Sequence, residues 1–544
     1  MNGAKSLVDT LLGAGVDTCF ANPGTSEMHF VAALDQNPGM RCVLGLHETV
    51  VTGMADGYWR IAGQPACTLL HCGPGLANGL ANLHNARRAR SGIVNVVGDQ
   101  ATYHRPHDAP LTADTDALAR TVSAWVRTST RAADVGRDAA AAVQAARSHP
   151  GQIATLILPS DASWDEGGVP AQALPVPPAP AVDVHAVQTA ARLLRGGGGS
   201  AASGGTAGAA LRGPHGTAPG ALGGGRVLLL LAGQALSAPG QQLAWRVAQA
   251  TGAAVRADFV IGQMARGRGC PPIERVPYVT DQAVRALAGY DHLVLVGAKP
   301  PVGFFAYPGK PSTHYSPTAQ LHVLARPEQD GLAALQALVD ELGAPEVPAH
   351  DPGPRPQVER GAPTSEGLAR TLAALLPEGA IVSDESVSYG RGFYPHTFAA
   401  APHDWLHLAG GAIGDGLPVA TGAAIGARAR GAGDRRVVSL QADGSAMYSV
   451  QALWTQARER LPCTTILLNN RSYAILLGEY KGVGATPGPT AMDMLDLGRP
   501  ELDWVKLAQG LGVEAARTTT LEGCADLLAA SFRQPGPFLI DLVI

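Results

Sequence analysis

Leu440-Gln-Ala-Asp-Gly-Ser-Ala-Met-Tyr448 and Ile466-Leu-Leu-Asn-Asn-Arg-Ser-Tyr473 are two stretches in which an apolar run ends in small polar residues. Each pattern predicts a buried strand followed by a turn, so Asp443, Asn470 and Ser472 are expected at strand ends. An open α/β sheet binds its ligands at the carboxyl ends of its strands. A carboxylate, an amide oxygen and a backbone or hydroxyl oxygen suit Mg²⁺, which completes its octahedron with phosphate oxygens. The two stretches therefore predict a parallel sheet that carries a magnesium-phosphate site.

The same pair of stretches resembles the motif of thiamine-diphosphate (ThDP) enzymes, which is Gly-Asp-Gly followed, after a helix and a strand, by Asn-Asn. A lone Asp-Gly is typical of an ordinary βα turn, and the second stretch makes the pattern specific. One position departs from the motif, since Ala442 stands where the first glycine is expected. The resemblance implies Asp443, Asn470 and Ser472 as Mg²⁺ ligands. It implies a cofactor site that contains Asp443, Gly444, Ser445, Asn470, Ser472 and Tyr473.

Length and charge indicate several domains and exclude a polyanionic partner. The chain has 544 residues, which is enough for three or four domains. Its net charge is −4, so electrostatics give no case for binding nucleic acid or a membrane surface. Charged residues make up 16% of the chain, well below the usual quarter. Ala and Gly are abundant, which suits tightly packed helices on parallel sheets.

Cysteine spacing and the N-terminus predict a cytoplasmic protein. The seven cysteines are scattered without CxxC or zinc-ligand spacing, which is typical of a reducing compartment. Residues 1–13 have the pattern of an amphipathic helix and contain Lys5 and Asp9, so no signal peptide is expected. No run reaches about 18 apolar residues, so no membrane-spanning helix is expected.

Helical and short apolar stretches alternate through residues 1–165, a pattern typical of a doubly wound parallel sheet. Glu48 opens a predicted helix directly after a predicted strand. Considered alone, an acid in a first helical turn is a dipole-stabilising residue worth less than about 1 kcal/mol. A catalytic role for Glu48 therefore depends on the residues around it.

Leu46-His-Glu-Thr-Val-Val-Thr-Gly-Met-Ala-Asp-Gly-Tyr-Trp-Arg60 resembles a segment of the pyruvate oxidase and decarboxylase branch of ThDP enzymes. In that family the corresponding glutamate hydrogen-bonds N1′ of the aminopyrimidine and favours the imino tautomer that removes the C2 proton. The resemblance implies that Glu48 is catalytic and contacts the cofactor.

Two further turns resemble benzoylformate decarboxylase. Phe20-Ala-Asn-Pro-Gly-Thr-Ser-Glu27 places Thr25 at the position of an active-site serine, and Thr68-Leu-Leu-His-Cys-Gly-Pro-Gly75 places His71 at that of a catalytic histidine. A histidine at a strand end is more often a packing residue, but a neutral imidazole can relay a proton after decarboxylation. The resemblance implies that both residues are catalytic and line the substrate pocket. By the same analogy Pro110 and Leu111 line that pocket.

Gly73-Pro-Gly-Leu-Ala-Asn-Gly79 follows a predicted strand and imitates a dinucleotide-binding fingerprint. Its last glycine lies one place too far along and Pro74 interrupts it, so no NAD site is predicted. In the resembled family this Gly-Pro-Gly is a close-packed turn beside the cofactor.

The middle of the chain is predicted to be a separate domain at 183–343, after a Pro- and Ala-rich linker at 169–182. Its Gly-rich tract at 196–225 has too few apolar residues to stay ordered, which predicts a flexible insertion. FAD is not predicted, because the strand near residue 227 lacks the rest of a dinucleotide fingerprint. Phe304 takes the place of a second active-site histidine of benzoylformate decarboxylase and is predicted to line the substrate pocket, although packing within the domain is an equal alternative.

Ala409-Gly-Gly-Ala-Ile-Gly-Asp-Gly-Leu-Pro418 fits the family pattern of a glycine that accepts a hydrogen bond from the cofactor's 4′-amino group and a large aliphatic residue two places later. The resemblance gives these roles to Gly411 and Ile413, whose stiff β-branched side chain suits a wedge against a bent cofactor. Ser388 aligns with a residue that contacts diphosphate. Ile475 and Glu479 align with small and aromatic pocket residues, and the charge of Glu479 argues against a purely aromatic substrate pocket.

Taken over the whole chain, the resemblance implies an α/β fold with three domains, each a parallel doubly wound sheet flanked by helices. The predicted parts are a pyrimidine-binding domain (1–168), a linker (169–182), the central domain (183–343), a second linker (344–361) and a diphosphate-binding domain (362–544). In the family the cofactor lies between Glu48 of one chain and Asp443 of another. This implies a homodimer as the minimal active unit and a homotetramer as the expected assembly.

The function implied by the resemblance is ThDP- and Mg²⁺-dependent decarboxylation of a small-molecule 2-oxo acid, with carboligation as a second outcome. Acetolactate-synthase-type condensation of 2-oxo acids is an open alternative, since Gly73-Pro-Gly75 and Gly414-Asp-Gly-Leu-Pro418 look more like that branch. A catalytically silent ThDP-binding paralogue is a second alternative.

Overall fold

The computed structural model describes residues 1–196, 226–431 and 433–544. They form two compact units, one of residues 1–178, 354–481 and 485–544, and one of residues 179–353 with 482–484. The predicted Gly-rich insertion, apart from Gly196, lies outside the described residues. None of the described helices is long and apolar enough to cross a bilayer.

The N-terminal part of the first unit is a parallel sheet flanked by helices. Its strands are β1 (Thr18–Ala21), β2 (Arg41–Leu44), β3 (Ala66–Leu70), β4 (Ile93–Asp99), β5 (Trp125–Thr128) and β6 (Ile153–Pro159). Its helices are α1 (Gly3–Gly13), α2 (Met28–Asp35), α3 (Glu48–Ala62), α4 (Cys72–Ala89), α5 (Thr115–Arg120), α6 (Ala132–Arg147) and α7 (Ser160–Trp164), with short 3₁₀ turns at Thr25–Glu27 and Arg105–His107. The strand order is β2-β1-β3-β4-β6-β5. Both β4 and β6 are buried throughout, as parallel strands covered on both faces must be.

The second unit has a smaller parallel sheet of order β11-β10-β7-β8. The strands of this sheet are β7 (Val227–Leu231), β8 (Ala254–Ala257), β10 (His292–Val296) and β11 (Gln320–Ala325). The unit also contains the short strand β9 (Gln263–Arg266), which is not part of this sheet. Its helices are α8 (Val184–Gly196), α9 (Ala238–Thr251), α10 (Thr280–Leu287) and α11 (Gly331–Leu342). The run of leucines in β7 is buried at every position and forms the centre of this sheet.

The C-terminal part of the first unit repeats the parallel plan. Its strands are β12 (Ala380–Glu385), β13 (His403–His407), β14 (Val437–Ala442), β15 (Cys463–Asn469), β16 (Glu514–Thr518) and β17 (Phe538–Val543), in the order β16-β17-β15-β14-β12-β13. Its helices are α12 (Ser365–Leu375), α13 (Phe393–His396), α14 (Gly416–Ala429), α15 (Asp443–Ala446), α16 (Ala452–Arg458), α17 (Ala474–Gly482), α18 (Pro489–Leu495), α19 (Trp504–Gly510) and α20 (Leu521–Ser531). The predicted α/β class with flanked parallel sheets is therefore confirmed.

Helices α3 and α14 pack with their backbones in close contact, which joins the two sheets of the first unit. A Cβ atom on Gly57 would lie 2.1 Å from the carbonyl oxygen of Val419, and one on Gly422 would lie 1.9 Å from that of Met54. Neither carbonyl can move without breaking its helix. The glycines are needed because the helices approach so closely.

Gly57→Ala is therefore expected to lower the free energy of unfolding by about 1–3 kcal/mol, the usual cost of overpacking, with a matching fall in the thermal transition temperature. Gly13→Ala is the matched control, since nothing lies within 4 Å of its added Cβ. Alanine is the better helix former, so this control should be neutral or stabilising. Scanning calorimetry of the two variants checks the prediction, and equal transition temperatures would contradict it.

The first turn of α4 differs from the sequence-based expectation. The resemblance implies that Gly73-Pro-Gly75 is a turn, but α4 begins at Cys72 and contains all three residues. Pro74 is tolerated because the N–H groups of a first helical turn have no intrahelical partner. His71 consequently lies at the N-cap, next to the helix rather than several residues before it.

Candidate active site

One pocket gathers most of the predicted cofactor residues at the carboxyl ends of β14 and β15. The two strands pair in parallel as far as Ala442 and Leu468, so the turns that follow them lie side by side. Nine predicted residues line the pocket, namely Ser388, Ile413, Asp443, Gly444, Ser445, Asn470, Ser472, Tyr473 and Ile475.

Asp443 is a buried carboxylate with a net electrostatic penalty. Its Oδ1 accepts a hydrogen bond from the N–H of Gly444 at 2.8 Å, and its Oδ2 accepts one from the N–H of Arg471 at 2.6 Å. Burial nevertheless raises the pKa of the Asp443 carboxyl above its ordinary value, against the opposing effect of these bonds. A cation bound beside the carboxylate would offset this cost of burying its charge.

The turn after β15 presents two further oxygen-bearing residues to the same pocket. Asn470 Oδ1 accepts a hydrogen bond from the N–H of Ser472 at 2.9 Å, and Arg471 between them adopts a left-handed φ of 55°. Gly444 is required on the facing turn, because a Cβ there would lie 2.5 Å from the Tyr473 ring. With Asp443, this gives a donor set of oxygens alone, which fits Mg²⁺.

Glu385 holds the turn that follows Ile413, and sequence reasoning missed it. Its carboxylate is almost fully buried and accepts hydrogen bonds from the N–H groups of Gly414 and Gly416, each at 2.7 Å. Gln441 Nε2 also donates to it at 2.9 Å. Two consecutive acids at the end of a strand that begins with apolar residues were the available signal, since Asp384 and Glu385 end β12.

Two asparagines of α4 hold the same turn from the N-terminal sheet. Asn85 accepts a hydrogen bond from the N–H of Ala412 at 3.1 Å and donates to its carbonyl at 2.7 Å. Asn82 donates to the carbonyl of Gly414 at 3.1 Å. Gly411 adopts a left-handed φ of 79°, which a glycine allows at no steric cost. These bonds define the position of the intervening Ile413, which lines the pocket.

Glu48 lies in a second group of residues, at the edge of the N-terminal sheet. Its Oε2 accepts a hydrogen bond from Asn78 Nδ2 at 3.0 Å, and the residue is only 8% exposed. A Cβ on Gly75 would lie 3.0 Å from Glu48 Oε1 and 3.3 Å from the Cβ of His71. The glycine therefore leaves space between the two predicted catalytic side chains.

His71 is paired with Glu27, a buried carboxylate that sequence reasoning also missed. His71 Nδ1 lies 2.9 Å from Glu27 Oε2. Two glycines make room for the pair, because a Cβ on Gly24 would lie 2.3 Å from the His71 ring and one on Gly98 would lie 1.7 Å from Glu27 Oε1. The N–H of Gly24 donates to Glu27 Oε2 at 2.8 Å, so the glutamate alone caps this turn from within.

Four further predicted site residues are not among the described residues that line the Asp443 pocket, namely Thr25, Pro110, Leu111 and Glu479. Thr25 is exposed, as are Pro110 and Leu111 in the segment before α5. Glu479 follows Ile475 by one turn of α17, which places the two on one helix face. Of these two residues of α17, only Ile475 is among the described residues that line the pocket. Their substrate-pocket role stays a prediction.

Phe304 belongs to the second unit and is part of an aromatic cluster there. Its ring centroid lies 4.8 Å from that of Phe305, 5.5 Å from that of Tyr278 and 6.1 Å from that of Phe259. These contacts are typical of edge-on aromatic packing. They support the packing alternative for Phe304, and its contact with a substrate stays a prediction.

Two family models match the two parts of the first unit. Residues 1–119 match the model described as thiamine pyrophosphate enzyme, N-terminal TPP binding domain. Residues 392–542 match the model described as thiamine pyrophosphate enzyme, C-terminal TPP binding domain. The first match contains Glu48 and His71, and the second contains the pocket residues from Ile413 to Ile475.

Relatives in sequence cover the whole chain. This chain is 50% identical to a Mycobacterium tuberculosis protein proposed to be the acetolactate synthase large subunit IlvX. The match covers 100% of this chain and 99% of that one. The chain is 30% identical to a benzoylformate decarboxylase of Pseudomonas aeruginosa, over 97% of this chain and 96% of that one.

The fold also matches a solved structure over its full length. A ThDP-dependent 4-hydroxybenzoylformate decarboxylase of Rhodococcus jostii RHA1 superposes with a TM-score of 0.81, covering 100% of this chain and 99% of that one. At 23% identity this likeness concerns the fold alone.

Proposed function

This chain belongs to the family of thiamine pyrophosphate enzymes, and from that premise we propose that it decarboxylates a 2-oxo acid with ThDP and Mg²⁺ as cofactors. The observation that carries the proposal is the pocket at the ends of β14 and β15, which brings the buried Asp443 carboxylate together with Asn470 and Ser472. The name of the Pseudomonas aeruginosa relative, a benzoylformate decarboxylase, supports this substrate class.

ThDP, when bound, supplies a nucleophilic carbon and an electron sink for the carboxylate's departure. Asp443, Asn470 and Ser472 would hold Mg²⁺, and the metal would in turn hold the diphosphate. Ser388 and Ser445 line the same pocket and offer hydroxyl groups to the phosphate oxygens. The side chain of Ile413 would orient the cofactor, because its turn is held on both sides by hydrogen bonds.

Glu48 would hold a proton at N1′ of the aminopyrimidine. Its carboxyl group is nearly buried, and Asn78 orients it by donating to Oε2 at 3.0 Å. Water is largely excluded from this position, which strengthens a hydrogen bond to the ring nitrogen.

His71 would deliver the proton that replaces the carboxylate on the substrate carbon. Because Nδ1 faces the Glu27 carboxylate at 2.9 Å, the ring would keep one proton on Nδ1 and would deliver a second proton from Nε2. Glu27 is a positioning residue in this scheme.

His71→Ala is expected to lower the rate of decarboxylation by about 10²- to 10⁴-fold, the usual contribution of a general acid or base. ThDP affinity should be unchanged, since His71 is not among the described residues that line the Asp443 pocket. Steady-state CO₂ release and cofactor titration measure the two effects. The exposed His185, changed to Ala, is the control and should keep full activity. An equal loss of ThDP binding and of rate in His71→Ala would contradict the assignment.

A homodimer is proposed as the minimal active unit, with a homotetramer as the expected assembly. Glu48 and His71 adjoin the N-terminal sheet, and neither is among the described residues that line the Asp443 pocket. A second copy can bring its own Glu48 to that pocket. Light scattering tests the assembly, and a monomer with full activity would contradict it.

We propose the cytoplasm as the location. None of the seven cysteines, which all lie within the described residues, forms a disulfide, and this supports that location.

Carboligation of the acetolactate-synthase type is the second candidate function, and the 50% identity to the Mycobacterium tuberculosis relative favours it. A panel of aromatic and aliphatic 2-oxo acids, incubated with the protein, ThDP and Mg²⁺, separates the two. Decarboxylation yields CO₂ and an aldehyde in equal amounts, whereas carboligation yields C–C bonded products. Such products from pyruvate alone would overturn the decarboxylase assignment.

A silent paralogue that binds ThDP without turnover is the remaining alternative. The buried Glu48, held by Asn78, argues against it, because a binding protein does not need that hydrogen-bonded acid. Absence of both CO₂ and C–C products across the panel, in protein shown to bind Mg²⁺ and ThDP, would support the silent paralogue.

A further inference from the structure

Three side chains that can each ligate a metal meet beyond the carboxyl ends of β1 and β3 in the N-terminal sheet. The carboxylate of Glu27, Nδ1 of His71 and Sγ of Cys72 all lie within 4.8 Å of one another. Glu27 and Cys72 are buried, whereas the His71 side chain is 23% exposed, so the group is open to solvent on the histidine side.

Two observations show that these groups are held in place. Cys72 has a left-handed φ of 51°, which a non-glycine residue rarely adopts and which persists only where surrounding structure enforces it. Ser26 Oγ lies 3.1 Å from Cys72 Sγ and 3.3 Å from His71 Nδ1. A fourth donor therefore adjoins the three.

We propose that Glu27, His71 and Cys72 form a binding site for a divalent thiophilic cation such as Zn²⁺, and that its occupation inhibits the enzyme. Zn²⁺ takes thiolate, imidazole and carboxylate ligands in a tetrahedron, and three protein ligands leave one position for Ser26 Oγ or a water molecule. Mg²⁺ prefers oxygen donors alone, so the site differs in selectivity from the Asp443 pocket.

Inhibition follows from which nitrogen the cation occupies. Nδ1 of His71 would bind the metal in place of its contact with Glu27, and Cys72 would release its thiol proton to solvent. The Nδ1 proton would move to Nε2. Because a neutral, metal-bound imidazole is a far weaker acid than a doubly protonated one, His71 would be a poor proton donor. This inhibitory effect rests on the proposed function, whereas cation binding itself does not.

Titration of the full-length protein with Cd²⁺ tests the site through the ultraviolet charge-transfer absorption of a cadmium-thiolate bond. The expected result is one tightly bound Cd²⁺ per chain, with the band lost in Cys72→Ser and affinity lowered by at least about tenfold, the loss that even an outer-shell change produces. Cys42→Ser is the matched control, because Cys42 is an exposed cysteine and should leave the tight band intact.

A tight cadmium-thiolate band that survives in Cys72→Ser, or that disappears in Cys42→Ser, would overturn the site. If Cys72→Ser does not fold, Glu27→Gln provides the second variant, which keeps the side-chain shape and should also lose affinity. Zn²⁺ should inhibit the wild-type protein loaded with Mg²⁺ and ThDP, and Cys72→Ser much less. Tight binding without inhibition would overturn the inhibitory role and the proton-transfer role of His71, while the metal site would stand.

Discussion

Glu48→Gln is expected to slow exchange of the C2 proton of bound ThDP by about 10²- to 10⁴-fold while leaving Mg²⁺-ThDP binding largely intact. Glutamine keeps the size of the side chain and can still accept the hydrogen bond that Asn78 donates to Glu48 Oε2 at 3.0 Å. It has no carboxyl proton to share with N1′ of the aminopyrimidine. Quenched-flow exchange into deuterium oxide, read by proton NMR, measures the rate.

The control for this experiment is Glu366→Gln, since Glu366 is an exposed residue whose side chain pairs with Arg370 one helical turn away. Exposed pairs of this kind contribute little to stability, so its exchange rate should equal that of the wild type. Loss of ThDP binding in Glu48→Gln would mean that Glu48 has a structural role. An unchanged exchange rate would revive the silent paralogue.

Asp443→Asn is expected to weaken Mg²⁺-dependent ThDP binding by about 100-fold or more, since the loss of an outer-shell partner alone costs about 10- to 100-fold. The amide removes the negative charge and leaves one of the two N–H groups, of Gly444 or Arg471, facing another donor. Calorimetric titration of ThDP at saturating Mg²⁺ measures the loss. Removing Mg²⁺ from the wild-type protein with a chelator should give a similar loss.

Asp503→Asn is the matched control for that substitution. Asp503 is the N-cap of α19 and accepts a hydrogen bond from the N–H of Lys506, a role that asparagine performs equally well. ThDP affinity should therefore be unchanged. Retention of metal-dependent binding in Asp443→Asn would show that the pocket residue is not a Mg²⁺ ligand.

The elements that carry the site could be predicted from sequence, because strand and turn signals depend on near neighbours. The strand ends directly before Asp443 and Asn470 and the helix start at Glu48 were placed correctly, and the α/β class follows from the alternation of strands and helices. The start of α4 was wrong, because a proline in a first helical turn has the same local pattern as a turn residue.

Family membership was also within reach of the sequence, since the motifs that carry it are short and contiguous. The resemblance stated from Asp443 and Asn470, and separately from Glu48, agrees with the two matching family models. The identity of the substrate could not be predicted from the sequence, because the chain matches one relative named as an acetolactate synthase and another named as a benzoylformate decarboxylase.

The residues that hold the predicted site residues in position could be identified only from the tertiary structure. Asn85 and Ala412 are 327 positions apart, and Glu27 and His71 are 44 apart, yet each pair is joined by polar contacts at 3.1 Å or less. No local pattern encodes such a contact, because it depends on how closely whole helices and sheets pack. The sequence therefore determined which residues could hold ThDP and Mg²⁺, whereas packing decided which buried acids and amides orient them.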